Sequence, residues 1–501
     1  MPRSDRQQFK VNDLVLKVRK DCDRKKWNED KYETFLELLC AERYYQKEAI
    51  QESLRYVLAG EYKNLKDLAK ENWEGNQYLE DRYGTWANFE SHLQFPDKLS
   101  ASVDMATGTG KSYVIYGIAM ILLAEGAVDR VLVLCPSTTI EAGLYDKFKL
   151  LAGNAELIDA LPDDAKIKIP KIIQADETIT PGCICVENRD AVYEHVKSSI
   201  EDSLWGKGAK VAVLNDEAHH VANDPAGKTK KWKEFLENPE YGFQIVLGFS
   251  GTCYVDNNYF SDVIYRFSLR QSIEERFVKK IRYLTDIETT GEENEEWQLR
   301  INMHETKRKE LKKRKITPLS IVVTPTIKKC KEVGDELRQY LMEFQGYSEE
   351  ESIEKVLIVY NNAPDVPKLP HLDEKDNKVE WVVSVSMLNE GWDVRRVFQI
   401  VPHEERAFNS KLLIAQVLGR GLRVPIGWQG EQPEVTVFNH AAWAGNIRHL
   451  VNEILENEKT LTSKVLQDSE YNFELHNLKY NVEPPTHGFS VRNSCFVSIG
   501  R

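Results

Sequence analysis

The sequence predicts an α/β fold made of two mainly parallel sheets, each with helices on both faces. Short apolar runs alternate with helix-like segments along most of the chain, which is the order expected of parallel strands joined by helices. The runs are continuously apolar, as strands buried on both faces of a sheet are. A charged segment, 288–315, separates the runs into two sets. We therefore expect two such sheets in tandem.

The elements follow in order along the chain. Apolar runs predict strands of the first set at residues 99–103, 130–135, 182–186, 210–214 and 244–248. Those of the second set lie at residues 319–323, 355–360, 381–385, 398–401 and 435–438. Helical spacing of apolar residues predicts helices over 34–58, 113–123 and 407–418. The predicted division is an N-terminal extension (1–34), a first domain (35–287) with an insertion at about 60–97, a charged interdomain linker (288–316), a second domain (317–455) and a C-terminal tail or truncated domain (456–501).

Composition excludes several classes of protein. The 501 residues suggest about two to four domains, and the 42% hydrophobic fraction is sufficient for large cores. A net charge of −12 excludes a global positive field, so any nucleic-acid binding must depend on local patches. The eight cysteines have no zinc-type spacing and suit a reducing compartment. With no signal peptide and no apolar run long enough to span a membrane, we expect a cytoplasmic protein.

A glycine-rich loop follows the first apolar run and opens a helix. Strand, loop and helix in this order form the context of a phosphate-binding loop. Gly108 and Gly110 let backbone N–H groups face the phosphates, and the positive end of the helix dipole faces the anion. Lys111 would reach the β- and γ-phosphates, and the Ser112 hydroxyl would be a magnesium ligand. The residues of this loop predicted to bind ATP are Thr107, Gly108, Thr109, Gly110, Lys111 and Ser112.

Two carboxylates end the fourth apolar run. Asp216 would hold Mg2+, directly or through water, and Glu217 would orient and deprotonate the attacking water. His219 and the hydroxyls of Ser250 and Thr252, which follow the next run, are expected to bond to this site. The alternative is an acidic strand end with ordinary loop histidines. The position of the Asp216–Glu217 pair downstream of a phosphate loop disfavours it.

A glutamine in the first helical segment is a candidate for binding adenine. Gln46 can make two hydrogen bonds to an adenine edge, and Arg43 precedes it in the same segment. Alone, this segment would be a surface helix with a stray glutamine. The phosphate loop that follows favours the base-binding interpretation.

The second set of runs carries two motifs. Residues 384–394 read Ser-Val-Ser-Met-Leu-Asn-Glu-Gly-Trp-Asp-Val, and residues 416–423 read Gln-Val-Leu-Gly-Arg-Gly-Leu-Arg. Two arginines three residues apart and beside glycines suit charge stabilisation on a γ-phosphate. Arg420, between two glycines, is expected to reach the phosphate, and Arg423 is expected to share this role. The alternative is a surface ion-pair cluster.

With these motifs in this order, the chain resembles superfamily two helicase-type ATPases of the DEAD/DEAH-box type. It more closely resembles the ATPase region of type III restriction enzyme Res subunits, and the resemblance covers roughly residues 35–455. Met105 departs from the generic loop pattern, which begins with glycine. The matching segments are 43–50, 106–112, 135–139, 216–219 (Asp-Glu-Ala-His), 250–252, 322–325, 386–394 and 416–423.

The resemblance implies two RecA-like domains in tandem, with ATP and Mg2+ in the cleft and nucleic acid across both domains. It adds Gln416 to the catalytic residues, and Gly391 and Asp393 to the nucleotide-binding residues. The implied function is a nucleic-acid-dependent ATPase, a DNA translocase or helicase of a restriction or antiphage defence system. The alternative is an ATP-switched nucleic-acid sensor or scaffold without processive movement. DNA is favoured over RNA as the partner, and the family implies a methyltransferase or nuclease subunit as a further partner.

A nuclease is expected to be missing from this chain. Res subunits continue into a C-terminal nuclease, whereas residues 456–501 are too few for that domain. Asp373, Glu374 and Lys375 lie in a polar loop and are discounted as nuclease residues. The expectation is either a fragment of a longer protein or a motor whose effector is another protein.

Two polar segments each have two interpretations. Residues 137–139 could cap a helix or bind a nucleic-acid phosphate at its start. Residues 307–315 are strongly basic, and a solvated interdomain helix is favoured there over a contact with the phosphate backbone.

Overall fold

The fold was analysed in a computed structural model. It describes residues 11–192, 198–222, 228–255, 258–284, 293–360, 363–385, 394–403 and 421–438. The strands are β1 Leu99–Met105, β2 Arg130–Cys135, β3 Lys171–Ile173, β4 Cys183–Asn188, β5 Val211–Asp216, β6 Ile245–Ser250, β7 Tyr254–Val255, β8 Asn258–Tyr259, β9 Val263–Phe267, β10 Lys280–Leu284, β11 Leu319–Thr324, β12 Val356–Val359, β13 Trp381–Val385, β14 Val397–Pro402 and β15 Glu434–Phe438.

Helices connect these strands and cover the two faces of the sheets. They are α1 Glu33–Cys40, α2 Tyr44–Leu58, α3 Leu65–Gly75, α4 Gln77–Tyr83, α5 Trp86–Glu90, α6 Lys111–Glu125, α7 Thr138–Ala152, α8 Ala155–Asp159, α9 Ile200–Leu204, α10 His219–Ala222, α11 Lys228–Glu237, α12 Leu269–Glu274, α13 Glu293–Leu311, α14 Ile327–Gln345 and α15 Glu349–Lys355. In the described part of the chain, no helix is both long enough and apolar enough to span a membrane.

Thirteen of the fifteen described strands form two large parallel sheets, and β7 and β8 form a separate antiparallel pair. Across the described residues, the first sheet has seven strands in the order β3-β4-β2-β5-β6-β1-β9. The second has six strands in the order β10-β15-β14-β11-β13-β12. Neighbouring strands of both sheets pair in parallel, for example β1 with β6 and β11 with β13. The predicted fold class, two mainly parallel α/β sheets in tandem, is therefore confirmed.

The predicted helix over 34–58 is two helices. Ala41 has φ +49° between α1 and α2, and a left-handed residue of this kind ends a helix. Both helices pack on α6, where a Cβ added to Gly117 would lie 2.6 Å from Ile50 and 2.9 Å from Leu39. Glycine at this position therefore lets α2 approach the helix that follows the phosphate loop.

Three of the four edge strands of the two large described sheets, β3, β9 and β10, were not predicted, and β10 changes a predicted domain boundary. The fourth edge strand, β12, lies within the predicted run 355–360. β10 pairs in parallel with β15, so residues 280–284 lie in the second sheet. The predicted first domain, 35–287, wrongly includes them. The sequence Lys-Ile-Arg-Tyr-Leu alternates charged and apolar residues, whereas the prediction relied on continuous apolar runs. The second sheet therefore begins in the chain before the charged segment.

That charged segment is packed in its described part. The helix α13 covers most of it, and Trp297 and Ile301 are fully buried in the core of the second sheet. The Trp297 ring stacks on Tyr340 of α14 at a centroid distance of 6.1 Å. The expected solvated linker is thus a helix with one buried face.

Candidate nucleotide-binding site

The glycine-rich loop lies between β1 and α6 and has the backbone of an anion cradle. Gly108 and Gly110 both have φ +87°, a left-handed conformation that favours glycine. The Thr109 hydroxyl donates a 2.6 Å hydrogen bond to the Ala106 carbonyl, which fixes the turn from inside. The loop therefore presents its N–H groups at the start of α6, as a phosphate site requires.

The predicted adenine residue contacts this loop directly. The Gln46 amide nitrogen donates a 2.6 Å hydrogen bond to the Thr109 carbonyl, and the Tyr45 hydroxyl donates to the same oxygen at 3.0 Å. A Cβ at Gly110 would lie only 2.5 Å from the Gln46 nitrogen, so a larger residue there would displace the Gln46 side chain. Arg43 precedes α2 and is exposed. The helix α2 therefore braces the loop through two buried side chains.

The predicted lysine and glutamate form an ion pair. Lys111 Nζ lies 3.1 Å from Glu217 Oε1, and both side chains are largely buried. Burial lowers the pKa of Lys111, but the charges of Glu217 and Asp216 outweigh it and raise that pKa. Glu217 has φ +51° immediately after β5, which turns its backbone sharply out of the strand direction. A cation and a carboxylate thus meet at the carboxyl end of the sheet.

Hydroxyl and imidazole groups connect this pair to the next strand. His219 Nδ1 lies 2.8 Å from Ser250 Oγ, 3.1 Å from Thr252 Oγ1 and 3.5 Å from Glu217 Oε2. Between the two hydroxyl residues, a Cβ at Gly251 would lie 2.9 Å from backbone atoms of the phosphate loop. The structure therefore places the predicted His219, Ser250 and Thr252 together, in contact with both Glu217 and the loop.

One predicted arginine of the second half lies at the loop. A Cβ at Gly108 would be 3.2 Å from Arg423 Cγ, so the arginine side chain lies against the loop glycine. Burial lowers the pKa of Arg423 to about 10, while the charges of Glu217 and Asp373 oppose this shift. The other predicted residues of the second half, Gln416, Arg420, Gly391 and Asp393, lie outside the described residues.

The residues present fit a magnesium nucleotide. The Ser112 hydroxyl opens α6, and Asp216 ends β5 with its side chain buried. A hydroxyl and a carboxylate are hard oxygen ligands of the kind that Mg2+ takes beside phosphates. The two glycines with positive φ let the backbone N–H groups of the loop face an anion. ATP with Mg2+ is therefore the ligand that this donor set suits.

The region that builds this site also matches a known family. Residues 39–255 match the family model described as type III restriction enzyme, res subunit. The predicted resemblance to type III restriction enzyme Res subunits is thereby confirmed over residues 39–255. The matched segment contains the glycine loop, the Asp216–Glu217 pair and the Ser250–Thr252 turn, whereas Arg423 lies beyond it. We call residues 39–255 the Res-like region.

Solved structures of helicases and a restriction enzyme are similar to most of the chain. S. cerevisiae Dbp5 bound to RNA and ADP BeF3 is 14% identical, with a TM-score of 0.45, covering 76% of this chain and 88% of that one. The ATP-dependent Type ISP restriction-modification enzyme LlaBIII bound to DNA is 12% identical, with a TM-score of 0.47, covering 82% of this chain and 29% of that one. Mycobacterium smegmatis helicase Lhr bound to ssDNA and AMP-PNP is 15% identical, with a TM-score of 0.43, covering 68% of this chain and 43% of that one. A comparison with curated proteins found no match.

Two residues of the Res-like region that contact the loop were not predicted. Tyr45 adjoins the predicted Gln46, and its place in the same helical turn could have identified it. Lys147 of α7 donates a 3.0 Å hydrogen bond to the Ser112 hydroxyl. Its distance of 35 positions from Ser112 gives no sequence signal, because only the packing of α7 beside β2 brings it there.

Proposed function

We propose that this chain is a nucleic-acid-dependent ATPase that hydrolyses ATP where the phosphate loop meets the second sheet. The observation that carries the proposal is the contact between Arg423 and Gly108. An arginine of the second half's motif, residues 416–423, thereby lies against the loop that follows β1 of the first sheet. An arginine supplied from across a cleft is a recurring means of stabilising charge on a transferred phosphoryl group. Arg420 is proposed to share this role.

Each residue of the site has a proposed role that its contacts support. Lys111, now paired with Glu217, would turn to the phosphates, because a triphosphate is the stronger anion. Glu217 would then be released to accept a proton from water, with His219 holding its second oxygen. Bound Mg2+, held by Ser112 and Asp216, would neutralise phosphate charge. Gln46 would bind adenine while it braces the loop.

Movement along DNA is the second part of the proposal. The arrangement of two sheets and the family match support it. Closing and opening of the cleft in each ATP cycle would step the two domains along DNA, as a translocase or helicase of a restriction or defence system. We accordingly propose that the boundary between the first and second domains lies before β10. A methyltransferase or nuclease subunit is the proposed partner.

Phosphate release tests the proposal directly. The purified protein is assayed without nucleic acid and with duplex DNA, single-stranded DNA or RNA, and Lys111→Ala serves as the inactive control. We expect slow basal release and a rise with DNA that Lys111→Ala abolishes. Equal rates in all four conditions would contradict a motor.

Displacement of a bound strand separates movement from switching. A triplex-forming oligonucleotide on duplex DNA should be released by a translocase when ATP is added. DNA-stimulated hydrolysis with no displacement would instead identify the alternative, an ATP-switched nucleic-acid sensor or scaffold.

A further inference from the structure

A second lysine lies at the entrance of the nucleotide site. Lys147 Nζ is 3.0 Å from Ser112 Oγ and 5.1 Å from the centre of the Tyr113 ring. It projects from α7, whose N-terminus is fixed by a hydrogen bond from the Ile140 N–H to the Ser137 hydroxyl. The strand β2 and the helix α7 therefore deliver an ammonium group to the hydroxyl that begins α6.

The contact is selective among the lysines of the same helix. Lys149, two positions further on, is exposed and lies 4.2 Å from the centre of the Tyr145 ring. Lys147 is partly buried, and burial together with the charges of Arg423 and Arg395 lowers its pKa, while Asp216 opposes that shift. Lys147 thus belongs electrostatically to the nucleotide site, whereas Lys149 belongs to the surface.

The position of the ammonium coincides with the metal side of the site. Ser112 is the proposed hydroxyl ligand of Mg2+, and a hydroxyl oxygen offers lone pairs either to a metal ion or to a hydrogen-bond donor. An ammonium and a magnesium ion beside the same oxygen repel each other. Both neutralise phosphate charge when they lie next to it. The Lys147 ammonium and Mg2+ therefore compete for the Ser112 oxygen and for the neutralisation of phosphate charge.

We propose that Lys147 is a built-in cation of the nucleotide site that exchanges with Mg2+ at Ser112. Without the metal, its ammonium holds the Ser112 hydroxyl and neutralises the phosphates of a bound nucleotide. With the metal, it gives up the hydroxyl. The inference deepens the proposed ATPase function, on which it rests, by assigning a residue that sets how strongly nucleotide binding depends on magnesium.

Nucleotide affinity with and without metal tests this assignment. A fluorescent ATP analogue is titrated into the wild-type protein, Lys147→Met and the matched control Lys149→Met, each in EDTA and in Mg2+. The measured quantity is the ratio of the Kd in EDTA to the Kd in Mg2+. We expect this ratio to rise on the order of tenfold in Lys147→Met, mainly through weaker binding in EDTA. Lys149→Met should keep the wild-type ratio, and so should Lys147→Arg, which retains the charge.

Each other outcome has a definite meaning. An unchanged ratio in a Lys147→Met protein that melts like Lys149→Met would overturn the inference. Equal weakening with and without Mg2+ would also overturn it, because Lys147 would then be only a phosphate ligand. If the wild-type protein binds no ATP analogue under either condition, the proposed function itself fails. That result is distinguishable because it does not depend on any Lys147 variant.

Discussion

Two buried histidines make the same hydrogen bond in the two halves of the molecule. His219 Nδ1 lies 2.8 Å from Ser250 Oγ beside the first sheet, and His304 Nδ1 lies 2.8 Å from Ser320 Oγ beside the second. The two side chains are 1% and 2% exposed. Residue type, partner, distance and burial are therefore matched, and the surroundings differ.

The difference is the end of the sheet at which each pair lies. Ser250 is the last residue of β6, and its histidine faces the phosphate loop at the carboxyl ends of the strands. Ser320 is the second residue of β11, at the opposite end of its sheet. Ligands of open parallel sheets bind at the carboxyl ends. The same chemical pair therefore lies beside the candidate nucleotide site in one half and away from the carboxyl ends of the strands in the other.

Charged residues of both signs surround the His304–Ser320 pair. His304 Nε2 lies 3.1 Å from Glu380 Oε2, and Lys355 and Arg308 pair with the other carboxylate oxygen. His304, Glu305 and Glu380 are close enough to share a metal ion. However, Lys355 and Arg308 already supply the positive charge that a metal would bring. The network is consequently a structural one.

The largest expected contrast concerns two arginines of the second half, the buried Arg396 and the partly buried Arg423. Burial lowers the pKa of both Arg423 and Arg396 to about 10. Arg396 donates to backbone carbonyls, among them Thr317 at 3.1 Å and Val379 at 2.8 Å, whereas Arg423 lies against Gly108. Arg423→Ala should lower DNA-stimulated turnover roughly 10³-fold and leave ATP binding nearly normal, because its contact strengthens in the transition state.

Arg396→Ala is the matched control for that experiment. It should lower the melting temperature and leave the turnover of the folded protein close to wild type. A fluorescent-nucleotide titration beside a turnover assay checks both variants. Wild-type turnover in Arg423→Ala would mean that the two halves do not form a composite site.

The histidines themselves give the next largest effect. His219→Ala should lower turnover about tenfold, the equivalent of one lost hydrogen bond beside Glu217, and its loss of stability should be smaller than that of His304→Ala. His304→Ala should instead lower the free energy of unfolding by roughly 3 kcal/mol, because it leaves Glu380 buried without one of its partners. Chemical denaturation and phosphate release on the same samples separate the two. Equal losses of stability in both variants would remove the distinction between the sheet ends.

Substitution of two buried glutamates, Glu187 and Glu380, should give the smallest effect on stability. The difference between these two substitutions should depend on pH. Burial raises the pKa of Glu187 to about 7, although the Ala175 N–H bond opposes it. Burial alone would also raise the pKa of Glu380, but His304 and Lys355 lower it to about 2. The Glu187 contribution to stability is therefore present below pH 4.5 and lost as pH rises through about 7.

Glu187→Gln should accordingly be more stable than wild type at pH 8 by about 1–2 kcal/mol, and this gain should vanish near pH 5. Glu380→Gln should be less stable than wild type by a constant amount between pH 5 and 8, because Glu380 stays ionised throughout. Denaturant melts across this range measure both differences. A pH-independent difference for Glu187→Gln would show that its carboxyl group is charged in the fold.

The sequence predicted the central strands because they are buried on both faces. The run 130–135 became β2 and 381–385 became β13 without change. The edge strand β10 was not predicted because the exposed Lys280 and Arg282 interrupt its apolar run, whereas the edge strand β12 is continuously apolar and was predicted. Lys111 and Glu217 were predicted separately, each as a residue that follows an apolar run, and the structure brings them together at the carboxyl end of the first sheet.

Contacts that depend on helix packing could not be predicted. His304 lies in the charged segment, Ser320 in β11 and Glu380 immediately before β13. Their polar character alone is typical of surface residues. Lys147 likewise belongs to no sequence motif, and only the position of α7 shows that it contacts Ser112. Sequence patterns thus predict functional residues that directly follow buried strands. They do not reveal residues such as Lys147, which a helix places at the site without any sequence motif.

The backbone of Glu217 has an energetic consequence of its own. A residue with a Cβ at φ +51° is disfavoured by about 1–2 kcal/mol relative to a right-handed conformation, and glycine avoids most of this cost. Glu217→Gly should therefore relax the backbone while it abolishes the only group at that position able to take a proton. The protein keeps the less stable residue where chemistry is proposed. Selection for stability alone would replace it, so position 217 is where folding and turnover favour opposite residues.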